Sequence, residues 1–135
     1  MISYEQARRL VAEGLARASA NYAGRPICVA TCDAHGFLLA FARADGAPVR
    51  SIAISQGKAY SAARMGVGTD VFLERLQREN IQASSFCDPG LTGLPGGAVL
   101  KDAAGAVLGG VGISGLAPSE DQAIADGLAQ SYGTF

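Results

Sequence analysis

The sequence predicts an α/β fold of the α+β kind, an antiparallel sheet covered by helices. Three observations lead there. Short apolar segments flank two turns of the same grammar, Asp33-Ala34-His35-Gly36 and Asp102-Ala103-Ala104-Gly105. The first pair of segments is apolar on both faces, and such strands need cover on both sides. The stretches before, between and after these hairpins carry apolar residues at helical spacing.

In chain order, residues 3–22 read as a helix, with Ala7, Leu10, Val11, Leu15 and Ala18 as its inward stripe. Ser3 with Gln6 is a capping-box pattern, and Gly24 is a stop signal. Residues 26–33 and 37–43 are expected as antiparallel strands, because Asp opens a turn and Gly accepts the left-handed position that closes it. Residues 49–64 read as a helix with Ile52, Ala53, Gln56, Ala59 and Ala63 on one side. A shorter helix is expected over 69–80, capped by Thr69. The second hairpin joins 98–101 to 106–113. The last helix is expected over 119–131, with Ser119 and Gln122 as a capping box after Pro118. Residues 82–97 have no periodicity and hold two prolines and four glycines. Structureless connections past about 12–15 residues are usually functional or mobile, so this segment points to a site or a lid.

The composition excludes several classes. The chain has 135 residues, 49% of them apolar, with a formal charge of −1. That suits one folded domain over 1–135 and argues against disorder. No cluster of Lys and Arg marks a nucleic-acid face. The longest mainly apolar runs, 27–32 and 106–113, are too short to span a bilayer. The N-terminus lacks a basic and then apolar leader, so a cytoplasmic location is expected. The three cysteines, Cys28, Cys32 and Cys87, are an odd number. Cys28 and Cys32 share a strand and lie roughly 13 Å apart at the usual rise, too far for a disulfide. One histidine cannot build a protein-only zinc site with such cysteines.

Several residues are candidates for chemistry. Asp33 ends the first strand; it opens a turn and could also present a carboxylate. Arg43 ends the second strand and could grip an anion bidentately. Lys58 lies on the face of Ile54, Ser61 and Met65, where it snorkels, anchors a carboxylate or acts as a catalytic base. Asp121 sits in the first turn of the last helix, favoured by the dipole, yet on the inward stripe. An inward carboxylate wants a partner, Lys58 or Arg43. Gly96-Gly97 and the run Gly109–Gly115 imply close backbone approach, with Ser114 and Gly115 at the strand end available to a ligand. His35, at a turn tip, and Met65 are weak candidates for a haem axial ligand.

Together these segments resemble a known family. The pattern is Val29–Gly36 with Arg43, then Asp45-Gly46-Ala47, then Lys58-Ala59-Tyr60-Ser61-Ala62. It continues with Gly96-Gly97, Gly109-Gly110-Val111-Gly112-Ile113-Ser114-Gly115, and Asp121 with Ile124-Ala125. It is similar to the HbpS/GlcG-like family, which includes the C-terminal domain of PduO-type proteins, over roughly residues 3–131. The resemblance implies a profilin-like sandwich on a five-stranded antiparallel sheet and homo-oligomers from dimers to octamers. It also implies haem binding in some members. The first functional expectation is therefore a protein that binds a small planar ligand, haem being one, near the glycine strand and the 82–97 loop. A second is an enzyme of lyase, isomerase or hydrolase type on a small organic acid. Lys58 and Arg43 would anchor the acid, and Asp33 or Asp121 would serve as acid/base. A third is an oligomeric accessory subunit.

Overall fold

The computed structural model describes residues 1–134. Helix α1 spans Tyr4–Asn21, strand β1 Cys28–Asp33, β2 Leu38–Arg43, helix α2 Arg50–Met65 and α3 Thr69–Glu79. A 3-10 turn at Ala83–Phe86 is followed by β3 Gly97–Lys101, β4 Val107–Ser114 and helix α4 Pro118–Ser131. The four strands form one antiparallel sheet in the order β2-β1-β4-β3. The sheet has four strands rather than five. The proline- and glycine-rich chain between α3 and β3 supplies a 3-10 turn and irregular backbone, not a strand.

The local signals explain most elements. Ser3 Oγ accepts from Gln6 N–H and Gln6 Oε1 accepts from Ser3 N–H, closing the capping box of α1. The two Asp-Ala-x-Gly turns are built alike. Asp33 Oδ1 accepts from the N–H groups of His35 and Phe37, and Asp102 Oδ1 from those of Ala104 and Ala106. Gly36 and Gly105 supply the positive φ values. All three cysteines are free thiols. No helix among the described residues is long and apolar enough to cross a membrane.

Three local readings differ from the structure. Helix α4 starts one residue early, with Pro118 at its first position, where a missing N–H costs nothing. Glu120 accepts from the Ala117 N–H there, so Ser119 and Gln122 are not the cap. Gly68, not Thr69, precedes α3. The buried face of α2 is Ser51, Ser55, Lys58, Ala59 and Ala62, whereas Ala53 is exposed. Ala59 and Ala63 of the expected face are buried, while Ile52, Ala53 and Gln56 are not, because this helix rests on the sheet through its small side chains.

The two sheet faces are built differently. Val29, Val111 and Ile113 point to α1 and α4 and join Leu10, Leu100, Ile124 and Leu128 in the main core. The alternate positions face α2, where the contact is Ala30, Cys32, Ala59 and Ala63. Strand β4 presents Gly110 and Gly112 to this helix. A β-carbon on Gly112 would run into the Ser55 carbonyl and stand 2.6 Å from Ala59 N; one on Gly110 would strike the Ala59 carbonyl. Helix backbone therefore lies directly on strand backbone.

Two glycine substitutions separate this packing from ordinary helix propensity. Gly112→Ala is expected to destabilise the protein by about 3 kcal/mol, because backbone atoms cannot swing aside. Gly57→Ala, whose β-carbon would make ordinary contacts at 3.7 and 3.8 Å, is expected to stabilise by about 0.5–1 kcal/mol. Urea denaturation of the two variants measures both.

Candidate functional site

The close seat of α2 carries Lys58 into the protein. Its side chain and that of Asp121 are each only 3% exposed. Lys58 Nζ donates to the Ile113 carbonyl at 2.7 Å and to Asp121 Oδ2 at 3.2 Å. Asp121 Oδ1 accepts from the Leu116 N–H at 3.1 Å. Burial pushes the Lys58 ammonium below the usual lysine range, and the Asp121 charge partly restores it. Burial likewise pushes the Asp121 carboxyl up, against the pull of Lys58. Both shifts have the same cause, the cost of burying a charge, which each partner's opposite charge offsets.

A cleft of about 160 Å³ opens beside this pair. Its polar lining is Arg50, Ser51, Lys58, Ser114 and Asp121, and its apolar wall includes Ile54, Leu94 and Leu116. The Gly96–Gly97 turn passes under Lys58. A β-carbon on Gly96 would lie 2.6 Å from Nζ, and Gly96 takes a φ of +131°. Gln122 holds this turn: its Oε1 accepts from Gly96 N–H at 2.6 Å and its Nε2 donates to the Gly97 carbonyl at 2.9 Å. Thr69 Oγ1 accepts from Gly97 N–H at 2.8 Å.

A second concavity lies on another flank of α2, near the first hairpin turn. This groove of about 350 Å³ is lined by Cys32, Gly36, Phe37 and Leu38, by Gln56, Gly57 and Tyr60 of α2, and by Gly90. Phe37 is 65% exposed at its edge. The chain from 82 to 96 straps α2 and α3 beside it and lends Gly90 to its wall. Phe86 meets Phe72 edge-on with centroids 5.5 Å apart, Asp88 accepts from Tyr60 Oη–H at 2.7 Å, and Thr92 N–H donates to Ser61 Oγ at 2.8 Å.

A family model described as "Haem degrading protein HbpS-like" matches residues 2–129. The chain belongs to the HbpS-like family. It is similar to a double mutant of Streptomyces reticuli HbpS, with 26% identity, a TM-score of 0.85, and coverage of 98% of this chain and 87% of that one. Klebsiella pneumoniae protein ORFY shares the fold at 24% identity and TM-score 0.87, covering 99% and 92% of the two chains. So does the protein of the PduOC:heme complex, at 24% identity and TM-score 0.84, covering 98% and 95%. No curated protein sequence matches the chain.

In this HbpS-like chain the structure brings together Lys58, Asp121, Ser114 and Gly115 in the cleft, with Gly96 and Gly97 beneath. It sets Asp33 and His35 apart, at the hairpin turn. Asp33 uses one carboxylate oxygen to hold that turn. Arg43 pairs in register with Cys28, which pairs with Ser114. Two strand spacings put it about 10 Å from Ser114. Its Nε donates to the Ala47 carbonyl at 3.3 Å, and it lines neither concavity. Met65 is half-buried at the end of α2. Sequence reasoning missed Arg50, Ser51, Gln122 and Thr69. Gln122 was legible, since it stands three residues before Ala125 on the inward stripe of α4. Arg50 was not, because it is an exposed residue at the first position of α2 and no periodic signal marks it.

The ion pair has a testable energetic signature. Lys58→Met leaves a buried carboxylate without its partner and is expected to cost about 3–5 kcal/mol. The double variant Lys58→Met/Asp121→Leu removes both charges and is expected to be more stable than Lys58→Met alone. Equilibrium denaturation of the three proteins provides the comparison.

Proposed function

We propose that this protein binds a planar, largely apolar ligand of the haem type in the groove between the first hairpin and α2. The observation that carries this reading is the groove itself: an open, mainly apolar slot with the Arg64 guanidinium over its Tyr60 wall and His35 next in sequence to its lining residue Gly36. Its volume falls at the lower end of the roughly 300–1,000 Å³ typical of small-molecule sites. A ligand as large as haem would therefore sit with part of its surface exposed.

The residues present fit such a group. Iron in a porphyrin takes an axial donor from His, Cys, Met or Tyr. Burial pushes the Cys32 thiol up to about 12, which keeps it protonated and a poor ligand. The Tyr60 hydroxyl is engaged by Asp88, and that hydrogen bond raises its pKa. His35 stands exposed one residue from the groove lining, and its ring makes no hydrogen bond among the described residues. It is the residue that would ligate the iron of such a group. Arg64 donates to the His35 carbonyl at 2.8 Å and stacks over the Tyr60 ring at 4.9 Å, placing a cation at the same rim for the ligand's carboxylates. Bound haem would supply iron-centred redox chemistry; the chain's own residues bind and orient it. The family to which the chain belongs and the heme complex formed by a protein of the same fold support this reading.

A hemin titration of the purified protein followed by visible absorbance tests it. A saturable Soret band is expected at one haem per groove. His35→Ala is expected to change the band shape and weaken binding at least about tenfold, or about 1.4 kcal/mol. A band with unchanged shape and affinity in that variant would remove His35 as ligand, and no saturable band at all would remove the reading.

A further inference from the structure

The cleft beside Lys58 has an excess of hydrogen-bond donors that the chain does not satisfy. Among the described residues, Arg50 is the only arginine with no hydrogen bond, ion pair or ring contact. Arg8 and Arg9 bind Glu5, Arg17 binds Glu13, Arg25 binds Glu120, and Arg75 and Arg78 reach Glu79. Arg43 and Arg64 bind backbone carbonyls. Arg50 instead lines the cleft with its guanidinium unmatched.

The buried hydroxyls tell the same story. Ser55 and Ser61 of α2 donate their protons to helix carbonyls, of Ile52 and Gly57. Ser51, in the first turn, and Ser114, at the end of β4, are 2% and 5% exposed and bond each other at 3.0 Å. That contact uses one of their two protons. The other has no acceptor among the described residues, and a buried donor left unmet is unfavourable. Lys58 carries three N–H donors and uses two, on Ile113 and Asp121. Both Asp121 oxygens are already engaged. What is missing is an acceptor.

Charge sets its sign. Lys58 and Asp121 cancel, Glu120 is held by Arg25 and the Ala117 N–H, and Arg50 leaves the cleft one positive charge. First-turn residues of α2 and α4, Arg50, Ser51 and Pro118 among them, line it, at the helix ends whose dipoles favour negative charge. Volume sets the size. A cleft of about 160 Å³ holds about five water-sized volumes. Ile54, Leu94 and Leu116 give an apolar wall for a short carbon chain.

We infer that this cleft is a binding site for a small monocarboxylate of roughly two or three carbons, gripped bidentately by Arg50 and hydrogen-bonded by the Ser51–Ser114 pair and Lys58. The site stands apart from the haem groove and does not depend on it.

The test is a titration of the ¹⁵N-labelled protein with propionate and, separately, with the neutral propionamide, read from the amide signals of Ser114 and Gly115. Saturable shifts are expected with propionate and none with propionamide. Arg50→Gln is expected to weaken propionate at least tenfold while leaving thermal unfolding unchanged, because Arg50 is exposed and has no partner to lose. Propionate affinity is expected to be the same with hemin present, so a failed hemin titration leaves this result untouched. Non-saturable shifts, equal shifts with propionamide, or wild-type affinity in Arg50→Gln would each overturn the proposal.

Discussion

Helix α2 lies on strand β4 with nothing between the two backbones, because positions 110 and 112 carry no side chain. The rest of the site follows from that approach. A helix held a normal side-chain distance above the sheet would keep Lys58 at the surface. Lowered onto the strand, the same helix delivers its ammonium to the Ile113 carbonyl and to Asp121 in α4, on the far side of Gly96–Gly97. The glycines of the β3 turn serve the same contact. A β-carbon at Gly97 would stand 2.5 Å from the Lys58 carbonyl, so neither strand nor turn tolerates bulk under the helix.

This division of labour between the sheet faces has a physical logic. Large side chains fill the layer between the sheet, α1 and α4, and that layer supplies most of the hydrophobic stabilisation. The α2 layer is thin, small and polar, with Ser55, Ser61, Thr69 and Gln122 bonded to backbone rather than to water. A thin layer gives away apolar burial, but it fixes polar groups rigidly against a sheet, which is what a binding site needs. The two concavities flank this one helix and differ in chemistry. One is apolar and open towards the hairpin; the other is narrow, polar and cationic.

Much of the fold was legible because local chemistry and global packing agree. Asp33 and Asp102 close hairpins by the same pair of bonds, and Ser3 with Gln6 starts α1 as its spacing requires. That Asp121 needs a cation followed from its place on an inward stripe; the sequence left Lys58 and Arg43 open, and the structure pairs it with Lys58. The failures arose where a polar residue serves a distant strand instead of its own helix. Thr69 and Gln122 look like caps in one dimension, yet both hold Gly96–Gly97. The face of α2 was placed only in part, through Ala59 and Ala63, because serines and alanines rather than Ile52 meet a glycine strand. Arg50 stayed hidden at the helix start, and Arg43, expected from its place at the end of β2, closes the neighbouring edge strand instead. The fifth strand was expected from family resemblance alone, and residues 82–96 form a strap over α2 and α3 in its place.

The buried pair is the centre of this arrangement, and its protonation can be watched directly. The measurement is a pH titration of the Lys58 side chain by NMR, following its ¹³Cε and ¹⁵Nζ signals. A lysine seated on Ile113 and Asp121 predicts slow exchange of its ammonium protons with water at neutral pH and loss of the proton below the ordinary lysine range. Rapid exchange with titration at the ordinary value would place Lys58 in solvent and contradict the close packing from which the site is built.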